Sequence, residues 1–148
     1  MLAAALDRLE REGIDVVAAA PVLHSEPVGP SLRRYANCAA IVETELGPGA
    51  LLALLKGIER DFGRRAGGQR WASRVVDLDV VLWSGGPFVE PGLTVPHPLF
   101  RTRDFVLAPA AAIAGAWRDP ITGLTVRQLH ARLTRPRAVR RAGAWSGP

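Results

Sequence analysis

Nine consecutive residues, Val75 to Trp83, constrain the fold of this chain more strongly than any other segment. Two of them, Asp77 and Asp79, are acidic, whereas the others are apolar and mostly branched. Such residues are typical of a strand, on which side chains two apart share a face at a repeat of about 6.6–6.8 Å. Two carboxylates on one face can bind hard cations, and without a cation they repel each other and resist burial. The segment therefore predicts a strand with an acidic face, although two unrelated solvated acids would give the same pattern.

The remaining elements follow from apolar spacing and from breaks at glycine and proline. Helices are predicted over 2–11, 50–62, 105–114 and 126–133, and further strands over 14–24 and 35–45. Two adjacent strands between two helices favour antiparallel pairing, and helices packed on a mainly antiparallel sheet define the α+β class. We expect one domain over 1–133 and a basic, flexible tail over 134–148.

Composition excludes several classes of protein. The chain of 148 residues is 48% apolar and 22% charged, which is globular rather than disordered. Its single cysteine, Cys38, allows no internal disulfide and predicts a cytoplasmic location. No apolar run reaches the roughly 20 residues of a membrane-spanning helix, and the sequence contains no P-loop, zinc-site or serine-elbow motif. The net charge of +5 favours anionic partners.

A segment rich in glycine and arginine, residues 63–74, leads directly into the acidic strand. We predict a long flexible loop over 63–72. Its arginines suit polyphosphate, because guanidinium groups neutralise the charge that develops as a phosphate bond breaks. Trp71 is a candidate for stacking on a ring or closing over the site. A solvated basic loop with a buried tryptophan is the alternative.

Three smaller groups of polar residues carry weaker signals. The segment between Pro96 and the helix predicted over 105–114 carries His97, Arg101 and Arg103. These residues form either an anion site or a rigid connector. Tyr35 and Asn37 share a strand face, where a ring can stack on a heterocycle and an amide can donate and accept hydrogen bonds. An ordinary strand start explains them as well. Lys56 and Glu59 lie three apart on a helix and predict a surface ion pair.

Two motifs carry a resemblance to a known family. They are Arg-Trp-x-x-Arg-x-x-Asp-Leu-Asp over 70–79 and Val-Pro-His-Pro over 95–98. With Tyr35-Ala36-Asn37 and other matching stretches between about residues 20 and 115, they resemble the 6-hydroxymethyl-7,8-dihydropterin pyrophosphokinases of folate synthesis. The resemblance implies a ferredoxin-like α+β fold. It also implies transfer of pyrophosphate from ATP to the pterin hydroxymethyl group, with release of AMP.

The resemblance further implies a role for each matching residue. Asp77 and Asp79 would hold two magnesium ions, and Arg64 and Arg74 would act with them in catalysis. The implied ATP-binding residues are Glu59, Arg74, Val80, Thr94, His97 and Arg103. The implied pterin-binding residues are Ser25, Val28, Gly29, Tyr35, Asn37, Trp71, Asp77 and Phe105. The implied partners are these two small molecules, with no nucleic acid and no membrane.

This sequence also departs from the family pattern. Family members open with a strand and a Gly-Ser-Asn turn, whereas this chain begins at a predicted helix; we therefore expect a longer natural chain that is monomeric with that strand present. Lys56 stands where a glutamine is common, and Ala66 and Gly67 stand where some members carry basic residues. Two other functions stay open: a truncated relative without catalysis, and a basic ferredoxin-like module that binds nucleic acid through its arginines.

Overall fold

Residues 1–25, 35–65 and 76–136 are described by a computed structural model of the chain. They form helices and short antiparallel strands, which confirms the predicted α+β class. The helices are α1 (Leu2–Arg11), α2 (Pro48–Arg65), α3 (Asp104–Ala114) and α4 (Val126–Thr134), with a 3₁₀ turn at Phe100–Thr102. The strands are β1 (Asp15–Ala19), β2 (Leu23–Ser25), β3 (Tyr35–Asn37), β4 (Ala40–Glu43), β5 (Phe88–Glu90) and β6 (Leu93–Val95). None of the described helices is long and apolar enough to span a bilayer.

The first hydrophobic core lies between α1 and α2, whose apolar stripes predicted both helices. Helix α1 is followed by Gly13 at φ 85°, a left-handed conformation that glycine adopts without strain. Helix α2 starts at Pro48, where a missing backbone N–H leaves no helical hydrogen bond unmade. The buried residues of this core are Ala5, Leu9, Ile14, Leu55, Ile58, Phe62 and Val76.

Strand β1 pairs with β4, and β2 pairs with β3, both antiparallel. The sequence predicted one strand over 14–24 and one over 35–45, but each is interrupted, near Pro21 and near Cys38 respectively. Proline lacks the N–H that a ladder requires. Across the gap Ala20 N donates to Ala39 O at 2.8 Å, and Cys38 Sγ donates to Ala20 O at 3.0 Å. Because the described strands form three separate two-stranded sheets, the ferredoxin-like strand order stays a prediction.

The strand predicted over 75–83 is wrong as an assignment, since residues 76–83 join no ladder. Backbone groups in this acidic segment find partners elsewhere: both polar groups of Leu78 pair with side chains of α2. Burial nevertheless alternates along it, with Asp77 and Asp79 exposed and the residues beside them more buried. The two carboxylates therefore share a face, as predicted.

One further expectation needs correction, and one hairpin was not predicted. Helix α2 continues to Arg65, so the predicted loop over 63–72 does not begin at residue 63; residues 66–72 lie outside the described part of the chain. The β5–β6 hairpin was not predicted, because its strands are only three residues long. Gly92, at φ 82°, supplies the left-handed residue of its turn.

A second hydrophobic core lies among the 3₁₀ turn, α3 and α4. Its buried residues are Phe100, Leu107, Val126 and Leu129. Asp119 is also completely buried and accepts two hydrogen bonds from Arg101, at 2.5 and 2.8 Å. The acidic segment contributes to both cores, because Val76 belongs to the first and Val81 packs against the second.

Candidate active site

Asp77 and Asp79 present their carboxylates to solvent, with 69% and 42% of their side chains exposed. Among the residues that the structure describes, no group of three or more His, Cys, Asp or Glu side chains is arranged to hold a metal ion. The pair therefore offers two carboxylate ligands. Magnesium fits such a donor set, because proteins commonly bind it through one or two carboxylates and leave its other positions to water and substrate phosphates.

Lys56, the only lysine of the chain, directs its ammonium group from α2 towards this acid pair. Its Nζ lies 3.9 Å from Asp77 Oδ1 and 3.7 Å from Asp79 Oδ1. The same Nζ donates to Leu78 O at 3.1 Å and to Glu59 Oε1 at 3.0 Å. Glu59 Oε1 also accepts from Leu78 N at 2.5 Å. Lys56 and Glu59 thus hold the Leu78 backbone from both of its polar groups, and we call this pair the α2 clamp.

The electrostatics of the clamp keep Lys56 charged. Burial alone lowers the pKa of Lys56, but the hydrogen bond to Glu59 and the charges of Glu59, Asp79 and Asp77 outweigh it and raise this pKa. The surface ion pair between Lys56 and Glu59 is present. The contacts of Lys56 with the acidic segment were not predicted. The one sequence signal was the presence of a lysine where arginine is otherwise used throughout.

His97 is fixed beside the acid pair by backbone contacts. Its N–H donates to Val81 O at 3.0 Å, and its Nδ1 accepts from Leu99 N at 3.2 Å. Because Nδ1 is an acceptor, the proton of a neutral ring lies on Nε2, which faces Asp79 Oδ2 at 3.9 Å. The geometry leaves an N–H available to an anion that approaches the acid pair.

Two clefts meet at the acidic segment. The first, of about 360 Å³, has apolar walls and also contains Asn37, Asp77, Asp79, His97, Arg103 and Phe105. The second is lined by Leu52, Lys56, Asp79, Val80, Gly92, Leu93, Thr94, His97 and Pro98. Asp79, Val80 and His97 line both clefts, so ligands in the two clefts would face each other across the acid pair.

The first cleft gathers several of the residues predicted to bind a heterocycle. Asn37, half-buried at the end of β3, lies in its wall with Phe105 at the start of α3. The guanidinium carbon of Arg103 lies 5.6 Å from the Phe105 ring centroid, a cation–π contact. Ser25 and Tyr35 pair through their backbones across β2 and β3, so both belong to the hairpin that carries Asn37.

Arg64, a predicted catalytic residue, lies away from the acid pair in the described structure. Its side chain is exposed on the last turn of α2 and donates to Asp61 Oδ1 at 2.7 Å. Asp61 in turn accepts from Arg8 of α1 at 2.8 Å, and these hydrogen bonds lower the pKa of Asp61. The predicted roles of Val28, Gly29, Trp71 and Arg74 fall outside the described residues.

The fold and site together define an α+β domain in which an acid pair, a lysine and a histidine lie where two clefts meet. Such a domain is suited to an anionic small molecule that binds together with a divalent cation. The chain belongs to the 7,8-dihydro-6-hydroxymethylpterin-pyrophosphokinase family, whose family model matches residues 1–115.

Individual relatives agree with this family. A 2-amino-4-hydroxy-6-hydroxymethyldihydropteridine pyrophosphokinase of Synechocystis sp. is 37% identical over 117 residues, which cover 79% of this chain and 60% of that protein. A protein of the same name from Methylorubrum extorquens is 38% identical over 135 residues, covering 90% and 84% respectively. The mitochondrial folate synthesis bifunctional protein of Pisum sativum is 35% identical over 119 residues, covering 80% and 23%. This chain thus spans less than two thirds of the first and the third of these relatives.

Proposed function

We propose that this protein transfers pyrophosphate from ATP to the hydroxymethyl group of 6-hydroxymethyl-7,8-dihydropterin, with release of AMP, as a step of folate biosynthesis. Family membership and the names of the relatives support the reaction. The observation that carries the proposal for this chain is the acid pair between two clefts that share Asp79 and His97. A reaction between two bound substrates needs their reacting atoms to meet at one such place.

The chemistry of the clefts supports a separate place for each substrate. In the first cleft, Asn37 would pair with the polar edge of the pterin, and Phe105, together with Tyr35, would stack on its ring. Ser25, Val28, Gly29 and Trp71 complete the pterin site that we propose. In the second cleft, Val80 and Thr94 would line the nucleotide beside His97. Glu59 and Arg103, which lie outside this cleft, would complete the nucleotide site.

In the reaction, the pterin hydroxymethyl oxygen attacks the β-phosphorus of ATP and loses its proton. The bond from that phosphorus to the oxygen that bridges the α-phosphate breaks, and its electron pair leaves with AMP. Asp77 and Asp79 would hold two magnesium ions, which supply charge neutralisation at the phosphate oxygens when bound. Arg64 and Arg74 would add positive charge as the bond breaks, because preorganised cations stabilise developing negative charge. Arg64 would have to exchange Asp61 for phosphate as its partner.

The proposed reaction is tested by incubating the chain with ATP, magnesium and 6-hydroxymethyl-7,8-dihydropterin and measuring AMP. We expect one AMP for each pterin consumed and none when the pterin is omitted. Binding of the pterin without AMP release would instead favour a non-catalytic relative. A salt-dependent shift with RNA and no response to ATP would favour a nucleic-acid-binding module. A cytoplasmic location remains part of the proposal and is tested by fractionation. A monomeric state, proposed for the chain with the family's N-terminal strand, is tested by sedimentation.

Asn37→Ala is expected to weaken binding of the pterin by roughly tenfold or more. Several hydrogen bonds to the ring edge are lost together, each worth about 0.5–1.5 kcal/mol net. Calorimetry with the pterin and with a non-hydrolysable ATP analogue measures both sites, and Kd for the analogue should stay unchanged. Glu43→Ala, at an exposed position of β4, is the matched control. A similar loss of affinity for both ligands would contradict a separate pterin site.

A further inference from the structure

The positive charge of Lys56 faces three negative charges, those of Asp77, Asp79 and Glu59. Lys56 Nζ is hydrogen-bonded to Glu59 and lies within 4 Å of Asp77 and Asp79, at 3.9 and 3.7 Å. These two longer distances exceed a hydrogen bond, so attraction between charges acts there without a fixed direction. The ammonium thus stands beside the carboxylates that a divalent cation would bind.

We propose that Lys56 is a positioning residue that serves as a built-in counter-cation of the Asp77–Asp79 pair and keeps the affinity of this pair for free divalent cations low. The inference rests on the proposed function in one respect: a cation that arrives with ATP brings phosphate oxygens that give the ammonium another partner. Without the nucleotide, Lys56 and the divalent cation compete for the same two carboxylates.

The hydrogen bonds of Lys56 explain why its ammonium group stays beside the two carboxylates and competes with a divalent cation for them. Its hydrogen bonds to Glu59 Oε1 and Leu78 O, at 3.0 and 3.1 Å, hold Nζ on the side of the acidic segment. Two unit charges about 4 Å apart interact appreciably even in water, and the repulsion is doubled when one of them is a divalent ion. Because 37% of the lysine side chain is exposed and its stem is flexible, part of the repulsion is relieved by movement.

The experiment measures binding of Mn²⁺ and Mg²⁺ to the chain without nucleotide, by electron paramagnetic resonance and calorimetry. Lys56→Met keeps the apolar stem and removes the charge, and we expect it to tighten binding about tenfold, which is about 1.4 kcal/mol. Lys56→Arg, which keeps the charge, should bind these ions as the unchanged chain does. In EDTA, Lys56→Met should melt at a lower temperature than the chain with Lys56. Added Mg²⁺ should then raise the melting temperature of Lys56→Met more than that of the chain with Lys56.

The matched control is Arg60→Met, which removes one positive charge from an exposed position of the same helix. Equal tightening in Arg60→Met and Lys56→Met would overturn the proposal, because net charge alone would then explain it. Unchanged or weaker binding in Lys56→Met would also overturn it, and Lys56→Gln serves as a second variant if the methionine variant does not fold. These outcomes are independent of AMP release, so an inactive chain with tighter binding in Lys56→Met would contradict only the proposed function.

Discussion

Asp79→Asn is expected to reduce the rate of AMP release about a thousandfold. Asparagine keeps the size of the side chain but removes the charge with which Asp79 would hold a metal ion between the two clefts. Metal-assisted stabilisation of phosphate charge is worth several kcal/mol, and each 1.36 kcal/mol is about tenfold in rate. Because Asp79 is 42% exposed, the variant should fold normally, with a free energy of unfolding within about 0.5 kcal/mol of the unchanged chain.

The rate is measured at saturating magnesium, with circular dichroism as the check on folding. The control is Arg132→Ala, which removes a charge from an exposed position near the end of α4 and should leave turnover unchanged. Near-normal turnover of Asp79→Asn would show that Asp79 does not hold the catalytic metal. A loss of equal size in Arg132→Ala would mean that the overall charge matters more than its placement.

Arg101→Met is expected to cause the largest loss of stability, about 3–5 kcal/mol. Asp119, which has no exposed surface, would keep its charge and lose both hydrogen bonds from the guanidinium group. Its remaining donors, Ile121 N at 3.0 Å and Thr122 Oγ1 at 2.8 Å, are neutral. For a domain of this size, such a loss lowers the melting temperature by roughly 10 °C. The double variant Arg101→Met/Asp119→Asn should regain part of it, because the buried charge is then absent.

The effect of pH provides an independent check on this pair. Hydrogen bonds from Arg101 above all hold the pKa of Asp119 well below its usual range. A carboxylate whose pKa is lower in the folded chain than in the unfolded chain stabilises the fold above the unfolded value of about 3.9, and this contribution is lost as the pH falls towards the folded value. In Arg101→Met the pKa of Asp119 should rise instead, so urea midpoints of the two chains should converge between pH 7 and pH 4. A constant difference, or an equal loss in Arg132→Met, would contradict this account.

The helices could be predicted from the sequence because their determinants are local. The stripes of α1 and α2 follow the helical period, and α4 begins at a capping box formed by Thr125 and Gln128. The site was predicted in part for a similar reason, since Asp77 and Asp79 are two residues apart and alternation alone places them on one face. The motif over 70–79 and its match to a known family added the chemistry.

Other features could not be predicted because they depend on contacts between distant parts of the chain. The α2 clamp joins Lys56 to Leu78, and no local pattern indicates that a side chain will take the place of a neighbouring strand. The buried pair of Arg101 and Asp119 joins residues 18 apart: Arg101 was placed in a candidate anion site with His97, and no local pattern indicated Asp119 as its partner. Arg64 was predicted to act in catalysis on the phosphates of ATP, and its hydrogen bond to Asp61 on the same helix could not be anticipated from that role.

The acidic segment is shared by two hydrophobic cores, and this determines how the site responds to local unfolding. Val76 is buried with α1 and α2, whereas Val81 and Leu82 pack against the core of α3 and α4. A protein with two cores can open one cooperative unit while the other stays folded. Asp77 and Asp79 lie on the segment that packs against both cores. Opening of either core would therefore remove part of the packing that holds these two carboxylates in place. Binding of a ligand at the acid pair would therefore stabilise the packing of this segment against both cores and oppose the opening of either.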